Sequence, residues 1–159
     1  ALAAFRFGAK RAHRGLRVRI GYSGDFTVPA HCEQQAFAQI AEGSVVEFQV
    51  AGTCGVGVLS AARAQGVFGI GFGSDQASYG PHVMTSVLER ADVAVESAVR
   101  SARAGHVAGG RNVLFDARND GIALGRWSPR VPRAIRRAVS HQLGLLKAGR
   151  IKSIPTTVQ

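Results

Sequence analysis

Val67-Phe68-Gly69-Ile70-Gly71-Phe72-Gly73-Ser74-Asp75-Gln76 is the stretch on which the fold turns. Gly66, a natural helix stop, precedes it, and its apolar part is too short for a helix. The reading is a buried strand opening into a Gly-Ser-Asp loop, and open α/β sheets bind ligands at the carboxyl ends of their strands. The same transition occurs twice earlier. Arg17-Val18-Arg19-Ile20-Gly21-Tyr22 runs into Ser23-Gly24-Asp25-Phe26, and Val45-Val46-Glu47-Phe48-Gln49-Val50 runs into Ala51-Gly52-Thr53-Cys54-Gly55. Strands near 17–22, 45–50 and 67–71, with loops at 23–29, 51–57 and 72–80 on one edge, make a rim suited to small-molecule recognition.

Helical patterns fill the intervals. Residues 1–13 carry Leu2, Phe5 and Ala9 on one face and close at Gly15; a second helix starts near Pro29 and ends at Gly43. Its apolar stripe is Cys32, Ala36, Phe37 and Ile40; a third helix spans 57–65. A strand at 82–86 leads into a helix over 92–104, and short strands at 112–115 and 122–124 flank the turn residues Asn119-Asp120-Gly121. The last helix runs over 132–147, with Val131, Ile135, Val139, Leu143 and Leu146 inward. Such βα alternation predicts an α/β fold: a mostly parallel sheet with helices on both faces.

The 159 residues suffice for one domain with a real core, and 46% apolar with 19% charged residues is a globular composition. No apolar run approaches a membrane span, and there is no signal-peptide core. The chain begins at Ala1 rather than Met, as a processed form or a fragment would. The net charge of +10 sits at the two ends: six Lys and Arg without an acid in the first twenty residues, and no acid after Asp120. That distribution suits nucleic acid, anionic lipid or an acidic partner, or else a solvated arginine-rich surface; no DNA-reading motif accompanies it.

Cys32 and Cys54 fit no zinc spacing; they form one disulfide in an oxidising compartment or remain structural thiols, the thiols being the default. Asp25, Asp75, Glu89 and Asp116 lie near strand ends, but no nucleophile or base stands beside them in a catalytic arrangement. His13, His31, His82, His106 and His141 are scattered and read mostly as surface residues. Gly52-Thr53-Cys54-Gly55-Val56-Gly57 lacks the Lys-Ser/Thr ending of a phosphate loop. The expectation is a binding protein with no cofactor or metal, and not an enzyme.

Phe48-Gln49-Val50-Ala51-Gly52 with Gly55 and Gly57, then Ile70 to Gln76, then Met84-Thr85-Ser86-Val87-Leu88-Glu89-Arg90-Ala91-Asp92-Val93-Ala94 stand in an order that resembles the basic membrane protein (BMP) family of substrate-binding lipoproteins. Gly109-Gly110 and the closing Leu146 to Pro155 extend the likeness over nearly the whole chain. The resemblance implies a type 1 periplasmic-binding-protein fold, two α/β lobes joined by crossovers, in which many members capture purine nucleosides for an ABC transporter permease. It further implies that 1–159 is the carboxyl-terminal portion of such a domain. Residues 82–104 would then be the crossover segment toward an amino-terminal lobe outside this chain. An apolar face left uncovered there calls for that lobe, a partner chain or self-association, so a ligand-competent monomer of this length is not expected.

By the same resemblance Phe26 matches the aromatic that stacks on the nucleobase; from the residues alone it is equally a core Phe at a strand end. Gly52 matches a glycine whose backbone approaches the ligand. Positions 73 and 89, an aspartate and a lysine that hold the ribose in nucleoside-binding relatives, are here Gly73 and Glu89, while Asp75 remains. The implied ligand is therefore a small aromatic solute, nucleobase-like rather than an ordinary nucleoside. Glu89 either receives a cationic or donor-rich group or is solvated. The alternative is a ligand-sensing or interaction module of a regulatory protein using the same fold, with nucleic acid as partner and no retained ligand. A transport receptor would be extracytoplasmic and membrane-anchored; a regulator would be cytoplasmic.

Overall fold

The computed structural model describes residues 2–106 and 109–157; Ala1, placed in the first helix by the sequence, lies outside them. The elements are α1 (Leu2–Ala12), α2 (Pro29–Ala41), β1 (Val46–Phe48), α3 (Gly55–Ala64), β2 (Phe68–Gly73), β3 (Val83–Glu89), α4 (Ala91–Arg103), β4 (Ile122–Leu124) and α5 (Arg133–Lys147). Single 3-10 turns occur at Gly52–Cys54, Ala77–Tyr79 and Ala117–Asn119. The four strands form one sheet in the order β1-β2-β3-β4. β1, β2 and β3 run parallel, and β4 closes the edge antiparallel to β3.

Alternation along β2 decides which helix covers which face. A Cβ at Gly69 would meet Leu59 and Ala62 of α3, and one at Gly71 would meet Gln76 and Ser86, so the glycine face of β2 packs first on that helix and then on the loop amides. Its phenylalanines face the other way, where Phe72 meets Phe48 edge-on at 6.2 Å and Phe48 stacks on Phe5 of α1 at 5.0 Å. α2 lies along α3. Gly57 makes that approach feasible, since a Cβ there would run into the Pro29 carbonyl. Leu59, Ala61, Ala62, Val83 and Cys54 are fully buried between the layers. α4 contains no buried residue, and its Val95 and Val99 are exposed.

Several expectations need correction. Residues 17–22 belong to no strand: among the described residues the sheet consists of β1 to β4, and no backbone hydrogen bond joins 17–22 to any of them. Residues 112–115 are not a strand either. Val113 and Leu114 are exposed, and the neighbouring polar groups close on themselves: Asn119 Nδ2 donates to the Leu114 carbonyl at 2.9 Å and its Oδ1 accepts from Asp116 N–H at 2.8 Å. α3 begins at Gly55, two residues before its expected start. In α5 only the preceding Val131 is buried; Ile135 is exposed and Val139, Leu143 and Leu146 are half-buried. His82 is buried, not at the surface, and burial pushes its imidazole pKa down. Cys32 and Cys54 are joined in a disulfide rather than held as thiols, because α2 and the 52–54 turn bring their Cα atoms to 5.5 Å.

Candidate functional site

The three loops on the carboxyl edge are held by different means. In the first, the Asp25 carboxylate accepts from Thr27 N–H at 2.6 Å, Thr27 Oγ1 at 2.8 Å and Val28 N–H at 3.1 Å. His31 Nδ1 lies 2.7 Å away. These bonds, the Thr27 backbone foremost, hold the Asp25 carboxyl well below the ordinary carboxylate range. The tight turn sends Phe26 outward: the residue is 68% exposed, which rules out the core alternative. Its carbonyl accepts from Cys54 N–H at 3.1 Å, docking the first loop on the second.

Gly52 lies against Phe26. Its φ is +56°, and a Cβ there would sit 3.1 Å from the Phe26 carbonyl oxygen and 3.7 Å from ring atom Cδ1. Backbone conformation and proximity therefore both require glycine at this position. The disulfide ties the same two segments covalently.

Beneath the loops runs a chain of buried amides that sequence reasoning missed. Gln49 Nε2 donates to Gln76 Oε1 at 2.8 Å, and Ala51 N–H donates to Gln49 Oε1 at 3.1 Å. Gln76 Oε1 also accepts from Phe72 N–H at 3.3 Å, and Gln76 N–H donates to Ser86 Oγ at 3.0 Å. The ends of β1 and β2 and the middle of β3 are thus fixed to one another. The available signal was a glutamine closing each of two apolar strands, since a buried amide at a strand end needs partners.

Asp75 stands on the third loop with its carboxylate engaged. Oδ1 accepts from Ala77 N–H at 3.1 Å, and Oδ2 accepts from Arg126 Nε at 2.7 Å. The Arg126 hydrogen bond holds the Asp75 carboxyl below its ordinary range. Gly73 has open space where a side chain would be, with φ at +87°. The β2–β3 register pairs Gly73 with Leu88, so Glu89 stands one residue farther along the same edge, exposed. Phe26 and Gly52 are thus in contact; Gly73 and Asp75 are linked to them through the Gln49–Gln76 bridge; Glu89 is adjacent in register to Gly73. A groove of about 910 Å³ lies elsewhere, between residues 17–22 and β1, and none of the five lines it.

The family model for Bmp, described as ABC transporter substrate-binding protein PnrA-like, matches residues 1–151. The ABC transporter nucleoside-binding protein BmpA of Lactococcus lactis subsp. cremoris is 29% identical over 136 residues, 74% of this chain and 39% of that protein. A solved ABC transporter solute-binding protein from Conexibacter woesei superposes with a TM-score of 0.77 at 22% identity, over 95% of this chain and 51% of its own. A solved transcriptional activator of the comK gene from Bacillus halodurans gives 0.76 at 23% identity, over 82% and 46%. The chain spans about half or less of the length of these proteins. Two such different roles on one architecture leave function to be argued from the site.

Proposed function

This chain belongs to the Bmp family of ABC transporter substrate-binding proteins, and from that premise we propose that it is the carboxyl-terminal binding portion of a receptor for a planar aromatic solute. The observation that carries the reading is Phe26, exposed at the sheet's carboxyl edge with its ring flanked by a residue that has no side chain. A flat π-face held on such a shelf suits a nucleobase-like ring, and an offset stack adds about 0.5–1.5 kcal/mol beyond the area it buries. Gly73 offers no carboxylate at its position and Glu89 no ammonium at its own, so the pair that would grip a ribose is missing, and Asp75 is engaged by Arg126. The preferred ligand is a free base or a similar heterocycle rather than a nucleoside.

The binding partners follow from that assignment: a second lobe beyond residues 82–104 to close over Phe26, and a permease to accept the solute. The disulfide supports an extracytoplasmic setting, since such bonds persist in oxidising compartments. It weighs against the cytoplasmic regulatory module that is the alternative use of this fold.

Calorimetric titration of the protein from the complete reading frame with adenine, guanine, hypoxanthine and their nucleosides tests the reading. Free bases should bind at least tenfold more tightly than nucleosides, and Phe26→Ala should abolish the binding. Micromolar nucleoside binding that disappears in Phe26→Ala would show that the ribose is held by groups other than those at 73 and 89. Base binding unaffected by Phe26→Ala would reject the aromatic shelf itself.

A further inference from the structure

The chain between β4 and α5, Gly125-Arg126-Trp127-Ser128-Pro129-Arg130-Val131-Pro132, is bound down along its length. Ser128 N–H donates to the Met84 carbonyl at 2.8 Å, and its hydroxyl donates to the Pro81 carbonyl. The same hydroxyl accepts from Arg130 N–H at 3.2 Å, and Val131 N–H donates to the Ser128 carbonyl at 3.1 Å. From α5, Arg136 donates through Nε to the Val131 carbonyl at 2.8 Å and through Nη2 to the Ser128 carbonyl at 2.9 Å. Ser128 and Val131 are buried, and Pro129 and Pro132 fix φ at two further positions. The residues between and after them are therefore held in place.

This segment lies at the amino edge of the sheet, the end opposite the loop rim. Pro81 and Met84 flank the start of β3, and the Arg130 guanidinium carbon stands 4.7 Å from the ring centre of Phe68, the first residue of β2. Arg63 occupies the last turn of α3, which leads through Gly66 into β2 at the same edge. Burial chiefly lowers the His82 imidazole pKa, and the charges of Arg63 and Arg130 both add to that push, so the two arginines flank one residue. Arg133 opens α5, and Arg137 follows four positions later on the same side of the helix. Arg63, Arg130, Arg133 and Arg137 are all exposed.

No ion pair engages any of these four among the described residues. Asp75, Asp120 and Glu42 are taken by Arg126, Lys147 and Arg19. No acid follows Asp120 in the sequence, so α5 and the segment before it carry none of their own. A cluster of like charges on fixed supports draws in an anion and favours one whose charges match its spacing.

We infer that the amino edge of the sheet, at Arg63, Arg130, Arg133 and Arg137, is a docking surface for an acidic polypeptide segment of a partner protein. Guanidinium groups take carboxylates through paired N–H donors in a fixed fork. The pinning of the support favours a polypeptide, whose carboxylates stand at set spacings, over a fluid headgroup layer that responds to the number of cations near it. Nucleic acid fits less well, since Trp127, the aromatic within the segment, is half-buried rather than offered to a base. A partner held here leaves the rim free to load and release its solute. The inference is independent of which solute binds at Phe26, at the other end of the strands.

Fluorescence anisotropy of a labelled decaglutamate peptide, titrated with the protein of the complete reading frame, tests it. Arg63→Ala and Arg130→Ala should each weaken binding roughly tenfold. Arg130→Lys keeps the charge but loses the ring stack and the paired donors, and should weaken it about threefold. Arg150→Ala removes a cation outside the cluster and should change binding by less than about twofold. Thermal midpoints matching the parent's keep a folding defect from posing as lost docking. Equal losses from Arg150→Ala and Arg130→Ala, or full binding by Arg130→Lys, would reduce the effect to net charge and overturn the inference. So would the absence of peptide binding, or tighter association with phosphatidylglycerol vesicles than with the peptide.

Discussion

Replacing Gln76 with Met keeps the length and approximate volume of the side chain and removes the acceptor at the centre of the buried amide chain. Gln76 Oε1 receives two donors, Gln49 Nε2 at 2.8 Å and Phe72 N–H at 3.3 Å, and neither residue is exposed. A buried donor stripped of its partner costs about 1–3 kcal/mol. The longer Phe72 bond belongs at the low end of that range, so the expected loss is roughly 2–4 kcal/mol. For a chain of this size each kcal/mol moves Tm by about 2–4 °C, giving a fall of roughly 4–16 °C. Urea unfolding of Gln76→Met, Gln49→Leu and the double variant supplies the check. Removing both partners leaves fewer orphans than the two single changes together, so the double variant should lose about 1 kcal/mol less than their sum. Strict additivity, or a Gln76→Met cost below about 0.5 kcal/mol, would refute the view that these amides hold the loop ends together.

Gly52→Ala should cost about 1–2 kcal/mol from the left-handed backbone alone and should weaken solute binding by moving the Phe26 carbonyl; equal stability would mean that φ relaxes freely. Phe26→Ala should change stability by no more than about 0.5 kcal/mol, because most of the ring lies in solvent, and a chemical melt measures it. Reduction of Cys32–Cys54, whose positions are 22 residues apart, should lower stability by about 3 kcal/mol, seen as a shift in urea midpoint with and without dithiothreitol. Burial raises the Glu47 carboxyl pKa above its ordinary 4.5, so the folded state holds its proton to higher pH than the unfolded state does. Stability therefore falls as pH rises from 4.5 through the raised value, and Glu47→Gln should flatten that limb of a midpoint-versus-pH curve.

The parts of this fold that were legible in the sequence are those where one segment carries its own instructions. Gly66 stops α3, the apolar run after it makes β2, and the change from apolar to small and polar residues at 73–76 marks the loop edge. Residues 17–22 misled because alternation specifies a face to bury and says nothing about which strand stands alongside. The 112–115 segment departs for a local reason: Asn119 binds the Leu114 carbonyl and the Asp116 N–H, drawing the chain into the 117–119 turn. The sequence left the disulfide as an alternative to free thiols and could not decide for it, because its two cysteines meet only once α2 and the 52–54 turn have packed. Within the site, resemblance named Phe26 and Gly52 separately as pocket residues, and their contact with each other was not foreseen. The engagement of Asp75 by Arg126, 51 positions away, depends on β4 returning beside β3, and no local pattern announces that.

The way Phe26 is mounted bears on how such a receptor changes its diet over generations. The residue is located by its carbonyl, bonded to Cys54 N–H, and by the preceding carboxylate, which ties the peptide groups that follow. None of these bonds passes through the ring. On the proposed reading, in which the ring at 26 is the solute's shelf, substitution there exchanges one docking surface for another while the bracket beneath keeps its shape. Drift at that single codon is nearly free of folding consequences, whereas drift at Gly52, Gln49 or Gln76 is not. New preferences for solutes should accordingly arise first at 26, on an otherwise constant frame.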